Sequence, residues 1–307
     1  MKKNRGLKVG VIGVGVMGKH HARISSTLSG VNLYGVADIN LEAAQQVATL
    51  YGAKAFENYE ELLPEVDVVI ITTPTQTHYE VASACINAGK HLLAEKPLAK
   101  VSEDAEKLVS LAKEKGVIMT VGYIERFNPA FQELQKLIRK EKIIGIAIQR
   151  LSPFPARIND ANVIQDMMIH DLDLLMNLLP MEEIESIKAE GKKIKTKVLD
   201  KVSAKIFFAS GIIATVEADR CSEAKTRKIV VTTGKDIVEA DLLNKQVYVR
   251  DLRHPQPSVH HTKQQDQLTA ELTDFFKAIK KGLPTKVHPN DGYTILKLAE
   301  EVEQACS

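Results

Sequence analysis

The run Gly13-Val14-Gly15-Val16-Met17-Gly18 follows the apolar stretch Lys8–Ile12 and opens a segment with helical spacing over Gly18–Leu28. A G-x-G-x-x-G at a strand-to-helix junction leaves few choices of fold. The first glycine makes a tight turn, the second lets backbone approach a diphosphate, and the third lets the helix pack closely on the strand. Amides at the helix start, together with the helix dipole, then hold negative charge. The next predicted strand, Val31–Val36, leads to Asp38, twenty positions beyond Gly18. A carboxylate there suits the ribose hydroxyls of a dinucleotide. The competing reading is a structural turn with a surface Asp, and the agreement of strand, helix and acid argues against it. Asp38 would repel a 2′-phosphate, and Ile39, Asn40 and Leu41 supply no cation, so NAD is expected rather than NADP.

Strand-like runs at Lys54–Phe56, Val66–Thr72, His91–Ala94 and Val117–Val121 alternate with helical patterns at Leu41–Tyr51, Tyr79–Ala88 and Ser102–Glu114. Several of these runs are continuously apolar, as when helices cover both faces of a parallel sheet. The pattern predicts an α/β, doubly wound domain over residues 1–122. From residue 123 the rhythm changes. A helix over Pro129–Lys140, a strand over Ile143–Leu151, a Pro-containing loop over 152–160 and a helix over Ala161–Leu178 precede six strand-like runs without helices between them. These cover Ile184–Glu190, Val198–Phe208, Ile212–Ala218, Arg227–Thr232, Ile237–Asp241 and Gln246–Arg250, separated by turn signals. The segment His254–Lys263 reads as a loop, and helices near Gln264–Lys281 and Asp291–Ala305 close the chain. Residues 123–307 are therefore expected to form an α+β domain on a mainly antiparallel sheet.

Composition narrows the function classes. A length of 307 residues suits two domains, and 44% hydrophobic with 26% charged residues is the balance of a folded chain. Forty-one basic against 39 acidic residues give a net charge of +2, which disfavours a molecule-wide nucleic-acid surface. Apolar runs fall far short of the roughly 20 residues of a membrane span. The start is basic and then apolar, but its regular glycines and missing small-residue cleavage pattern argue against a secretory leader. Cys85, Cys221 and Cys306 are sparse and widely separated, which suits reduced thiols in the cytoplasm rather than a disulfide frame or zinc site.

Ligands of open α/β sheets bind beyond the carboxyl ends of the strands. Two segments stand there. Thr72-Thr73-Pro74-Thr75-Gln76-Thr77-His78 follows the fourth strand and should border the nicotinamide half, with Thr77 also readable as a helix cap. Glu95-Lys96-Pro97 ends the fifth strand. A Lys at that rim can stabilise an alkoxide as hydride leaves, although spacing alone equally describes a surface Lys. His20 and His21 are assigned no catalytic role. Expected cofactor contacts are thus Gly13, Gly15, Val16, Met17, Gly18, Asp38, Thr72, Thr73, Pro74, Thr77, His78, Glu95 and Lys96.

Together GVGVMG, TPTQTH, AGKHLLAEKPLA (88–99) and a downstream D-x-x-x-H resemble the glucose–fructose oxidoreductase / inositol dehydrogenase / MocA family (Gfo/Idh/MocA). The resemblance extends to AELTDFFKAIKKGLPTKVHPNDGYTILKLAEEV (270–302). It implies a Rossmann domain, a second domain on an open sheet, and an active site between them. Lys96 falls on the family's catalytic lysine, and Asp166 and His170 in QDMMIHDLD (165–173) on its acid–histidine pair. The residues agree: Asp166 and His170 stand four apart on an expected helix, and an imidazole accepts a hydroxyl proton near neutrality. Half a metal site is the competing reading, but no third ligand set accompanies it, so no metal is expected. A helix-start Asp with a packed His is the other.

GYIERFNPAF (122–131) and RLSPFPARINDANVIQDMMIHDLDLLM (150–176) resemble the subgroup that includes UDP-N-acetylglucosamine 3-dehydrogenases, with Tyr123 where that subgroup carries His. That resemblance implies oxidation of a sugar 3-hydroxyl. Arg126 and Arg157 are candidates to hold a diphosphate or sugar oxygens, or else ion-pair partners, and Tyr123 and Asn162 are further candidate substrate contacts. A dehydrogenase of inositol or a free sugar, and a non-catalytic NAD-binding regulator, are the alternatives. A half-covered antiparallel sheet also predicts a homo-oligomer, dimer or tetramer.

Overall fold

The computed structural model describes residues 6–154 and 161–306, and Arg157 lies outside them. The chain divides into two units. One runs to Ile124 and takes in Leu268–Thr294; the other comprises Glu125–Gln267 and the chain from Ile295 onward.

In the first unit the elements alternate as β1 (Leu7–Ile12), α1 (Val16–Thr27), β2 (Val31–Ala37), α2 (Leu41–Tyr51), β3 (Lys54–Phe56), α3 (Tyr59–Leu62), β4 (Val68–Ile71), α4 (Thr75–Asn87), β5 (His91–Ala94), α5 (Ser102–Lys115) and β6 (Met119–Val121). The six strands are all parallel in the order β3-β2-β1-β4-β5-β6. The chain reverses its direction of travel across the sheet between β1 and β4, and such a reversal opens a crevice at the strand ends. Val68, Val69, Ile70 and Ile71 are all fully buried, as the unbroken apolar run predicts for a central strand. α4 begins at Thr75, not near Tyr79, and Thr77 does not cap it. Pro74 holds the capping position in extended backbone, and Thr77 Oγ1 instead donates to the Pro74 carbonyl at 2.9 Å.

The second unit holds α6 (Pro129–Ile138), β7 (Ile143–Leu151), a wide π turn (Ile164–Met168) running into α7 (Ile169–Leu178), then β8 (Ile184–Lys192), β9 (Lys201–Phe208), β10 (Ile213–Asp219), β11 (Thr226–Thr233), β12 (Asp236–Asp241), β13 (Gln246–Asp251) and β14 (His254–His261). Its eight strands run β14-β13-β12-β11-β7-β10-β9-β8, antiparallel except for the β7–β10 pair. The polar segment expected as a loop is thus the edge strand β14. An edge strand tolerates Pro257 and polar residues because one side of its backbone needs no strand partner.

Two helices follow, α8 (Gln267–Lys281) and α9 (Pro289–Ala305). The sequence groups α8 with the second half of the chain, yet from Leu268 it belongs to the first unit. Leu268, Leu272, Phe275 and Phe276 form an apolar stripe at helical spacing and pack into the core around Val9, Val11, Leu33 and Ile70. The connection beyond α8 is fixed there too, since Thr120 Oγ1 of β6 donates to the Val287 carbonyl at 2.9 Å in the interior.

Candidate functional site

The glycine turn between β1 and α1 has the geometry its residue types require. Gly13 sits at φ +87°, and a Cβ there would come within 2.8 Å of the Thr72 backbone. A Cβ on Gly18 would stand 1.9 Å from the Gly13 carbonyl oxygen, so α1 could not lie so close to the turn with any larger residue. Gly15 is different: it is exposed, and a Cβ on it would meet nothing within 4 Å. Open space over an exposed backbone at a helix start is what a diphosphate needs. Among the described residues no side chain caps α1, and its first turn carries no acid to compete with an anion.

Two neighbours hold this turn. Asp38 Oδ2 accepts a hydrogen bond from the Val14 amide at 2.8 Å and Oδ1 one from the Asn40 amide at 2.9 Å. Thr72 Oγ1 donates to the Gly13 carbonyl at 2.5 Å. Asp38 is half-buried, so its outer lone pairs remain available for ribose hydroxyls. Beside it Ile39 is 93% exposed, a large apolar side chain left in the open. In the sequence, an apolar residue just past the strand-end acid is the only signal for this position. Thr73 Oγ1 is buried without a hydrogen-bond partner among the described residues, as suits a polar group that meets a ligand.

The Glu95-Lys96-Pro97 turn follows β5, with a cis peptide bond between Lys96 and Pro97. Glu95 Oε1 lies 2.8 Å from His21 Nε2, and Oε2 accepts from the Lys96 amide at 3.3 Å. Gly122 leaves room for that carboxylate, since a Cβ there would stand 2.9 Å from Glu95 Oε2. His21 is thus a packed residue that holds Glu95, a pairing that no spacing in the sequence signals. His78, also buried, has Nδ1 2.8 Å from the Pro97 carbonyl and Nε2 2.8 Å from that of Thr73. Both ring nitrogens therefore face backbone rather than an open cleft. Burial holds His78 below the usual histidine range, with the two carbonyls pulling the other way. Deeper still, Glu271 of α8 is 2% exposed, and neither carboxyl oxygen has a hydrogen-bond partner among the described residues. Burial, reinforced by the charges of Glu95 and Asp274, keeps it protonated well above the ordinary carboxylate range. Tyr123, at the end of this unit, is fully buried. Burial also pushes the Cys85 thiol up to about 12, which removes it as a nucleophile.

In the second unit Asp166 lies within the π turn and His170 in the first turn of α7, both half-buried. The expected regular helix is interrupted here, and wide turns of this kind recur at functional sites. Asn162 Oδ1 accepts from the Ile164 and Gln165 amides at 3.0 Å each, while Nδ2 donates to Glu303 at 2.7 Å. Its side chain is thereby a helix cap. Arg126 donates to both Asp173 oxygens through Nε, at 2.9 and 3.0 Å, and both side chains are buried. Of its two sequence readings, this geometry is that of the ion pair. Asp171 and Glu125 receive Arg150 in the same way, at 2.8 and 3.1 Å, and Arg227 reaches Glu125 at 3.0 Å. Against the cost of burial, Arg150 and Arg227 hold Glu125 below its ordinary value. Among the described residues no group of three or more His, Cys, Asp or Glu could hold a metal ion.

A uniformly parallel sheet, an open glycine turn at a helix start and a strand-end Asp define a dinucleotide-binding protein of the NAD type. Comparison with known proteins places it further. The model of an oxidoreductase family with an NAD-binding Rossmann fold matches residues 7–123, and that of the Gfo/Idh/MocA C-terminal domain matches residues 149–238. UDP-N-acetylglucosamine 3-dehydrogenase of Acidithiobacillus ferrooxidans is 33% identical, covering 97% of both chains, and its solved structure superposes with a TM-score of 0.92 over 98% of this chain and 97% of that one. Myo-inositol 2-dehydrogenase of Thermotoga maritima is 26% identical over 95% of this chain and 94% of its own. A levoglucosan dehydrogenase solved with NADH shares the fold at a TM-score of 0.89 and 21% identity, covering 98% and 97% of the two chains. The chain belongs to the Gfo/Idh/MocA family. It is an NAD-dependent oxidoreductase.

Proposed function

We propose that this enzyme oxidises a secondary hydroxyl of a sugar nucleotide, the 3-hydroxyl of UDP-N-acetylglucosamine, with NAD as oxidant. What carries the choice of substrate is the near full-length likeness to a UDP-N-acetylglucosamine 3-dehydrogenase, at 33% identity against 26% for a myo-inositol 2-dehydrogenase. Bound NAD supplies the two-electron acceptor for the carbinol hydrogen. His170 takes the hydroxyl proton, the task for which imidazole is suited near neutral pH. The Lys96 ammonium donates to the same oxygen and offsets the negative charge that develops on it. Asp166 orients the imidazole or grips a neighbouring hydroxyl. Gly13, Gly15, Val16, Met17 and Gly18 hold the diphosphate, Asp38 and Ile39 the adenosine end, and Thr72, Thr73, Pro74, Thr77 and Glu95 border the nicotinamide end.

Cofactor binding is assigned to residues 1–122, with α8 completing that core, and substrate binding and self-association to residues 123–307. Of the remaining substrate contacts, Arg157 stays in the proposal, while Tyr123 is fully buried and Arg126 and Asn162 already serve protein partners. Cys85, Cys221 and Cys306 are free thiols, which fits a reducing cytoplasm. No described helix is long and apolar enough to cross a membrane.

The second reading, a dehydrogenase of inositol or a free sugar, is favoured by inositol 2-dehydrogenases that are 28% identical over 98% of this chain. NADH formation with UDP-sugars and with free polyols separates the two. Turnover of polyols alone removes the sugar-nucleotide assignment.

A further inference from the structure

Lys96 is flanked on both sides by residues that a buried histidine holds. On the amino side Glu95 is bonded to His21 Nε2 at 2.8 Å. On the carboxyl side the Pro97 carbonyl faces His78 Nδ1 at 2.8 Å. The second nitrogen of His78 lies 2.8 Å from the Thr73 carbonyl, so the ring stands between the turn after β5 and the loop after β4. These are the two segments that the proposed function assigns to the nicotinamide end. The sequence places His78 among cofactor contacts, but its ring is buried and both nitrogens point at backbone acceptors.

We propose that His78 is a positioning residue for Lys96, acting through the Pro97 carbonyl. This rests on the reading of Lys96 as the residue that stabilises the substrate oxygen. A carbonyl offers only lone pairs, so each contact is a hydrogen bond when its own nitrogen carries the hydrogen. The Nδ1 bond fixes the backbone one residue beyond Lys96, and with Glu95 held on the other side the ammonium has a fixed point of departure. Rate depends steeply on such placement, since a shift of about 1 Å away from the chemistry can cost about 100-fold. A neutral ring carries one hydrogen, so it donates to Pro97 or to Thr73 and not to both at once, and the Nε2 tautomer ties the Thr73 loop in place of the Pro97 bond.

Two near-isosteric changes separate the bonds. The amide nitrogen of Asn takes the place of Nδ1, and that of Gln the place of Nε2. His78→Asn therefore keeps the tie to Pro97 and drops the tie to Thr73, and His78→Gln does the reverse. Steady-state turnover of UDP-N-acetylglucosamine with NAD is measured for wild type, His78→Asn, His78→Gln and His78→Ala, with NADH affinity by fluorescence and deuterium uptake of the segment 95–101. The expected result is a kcat for His78→Asn within about threefold of wild type, against losses of about 10- to 100-fold for His78→Gln and His78→Ala, with NADH affinity changed little. A merely structural ring would lower all three alike, and equal losses in Asn and Gln would overturn the proposal. If wild type turns over no sugar nucleotide or polyol, the reading of Lys96 has failed by itself. Deuterium uptake then decides the tie: faster exchange in 95–101 for Gln than for Asn supports it, and equal exchange overturns it.

Discussion

The carboxylate of Asp38 accepts a hydrogen bond from the backbone amide of Val14 at 2.8 Å, linking the end of β2 to the glycine turn before α1. One side chain thus both holds the glycine turn and carries negative charge beside it, where the proposed function puts the adenosine ribose. Asp38→Ala is expected to weaken NAD binding by about 10-fold, close to the worth of one charge-assisted hydrogen bond, and to raise the NADP-to-NAD affinity ratio. Titration of both cofactors against the variant measures this. An unchanged ratio would remove Asp38 from cofactor selection.

Lys96→Ala is expected to lower kcat by about 10² to 10³, the usual loss of one oxyanion donor, while NAD affinity changes little. Steady-state rates alongside NADH fluorescence titration read both quantities. Loss of cofactor binding equal to the loss of turnover would make Lys96 a binding residue only.

Glu271 carries a pH dependence of stability. Its folded pKa is raised well above the 4.5 of an ordinary glutamate, so over the interval between the two the folded chain holds a proton that the unfolded chain has released. Stability therefore falls as pH rises through that interval, by up to about 1.4 kcal/mol per pH unit. Glu271→Gln keeps the neutral shape and removes the titration. The stability gain of Glu271→Gln over wild type is expected to grow from pH 5 to pH 8, as read in urea midpoints. A constant difference across that range would place the Glu271 pKa near its ordinary value.

Arg220 is fully buried, with Nε on Asp200 at 2.9 Å, Nη2 on Thr196 at 3.1 Å and Nη1 on the Ala161 carbonyl at 2.7 Å, just ahead of the turn carrying Asp166. Arg220→Ala leaves the buried Asp200 without its cation and is expected to cost about 3–5 kcal/mol. Arg220→Lys keeps the charge without the planar fork and should lose less. Chemical denaturation of the three proteins checks the order.

What the sequence makes legible is what depends on local pattern. All six parallel strands follow from apolar runs, and the structure bears them out, while glycines at fixed offsets mark the tight turn at Gly13 and the close helix packing at Gly18. The return of α8 to the first core does not follow, because an amphipathic stripe says that a helix is covered but not by which sheet. β14 was hidden for a related reason: HPQPSVHH carries no apolar alternation, and its strand character comes from pairing with β13. Nor could Arg126 be told from a ligand-binding arginine before Asp173 was seen within 3.0 Å of it. Anchors such as His21 and His78 depend on contacts made after folding, and no spacing rule reports them.

The most direct test of the central claim is NADH formation by the wild-type enzyme and by His170→Ala and Lys96→Ala, with NAD and matched concentrations of UDP-N-acetylglucosamine, UDP-glucose, myo-inositol and glucose. The expected outcome is turnover of UDP-N-acetylglucosamine with a kcat/KM at least about 10-fold above the others, the scale set by site groups left unpaired with the wrong ligand, and its collapse in both variants. Preferential oxidation of the free polyols, or turnover that survives both substitutions, would contradict it.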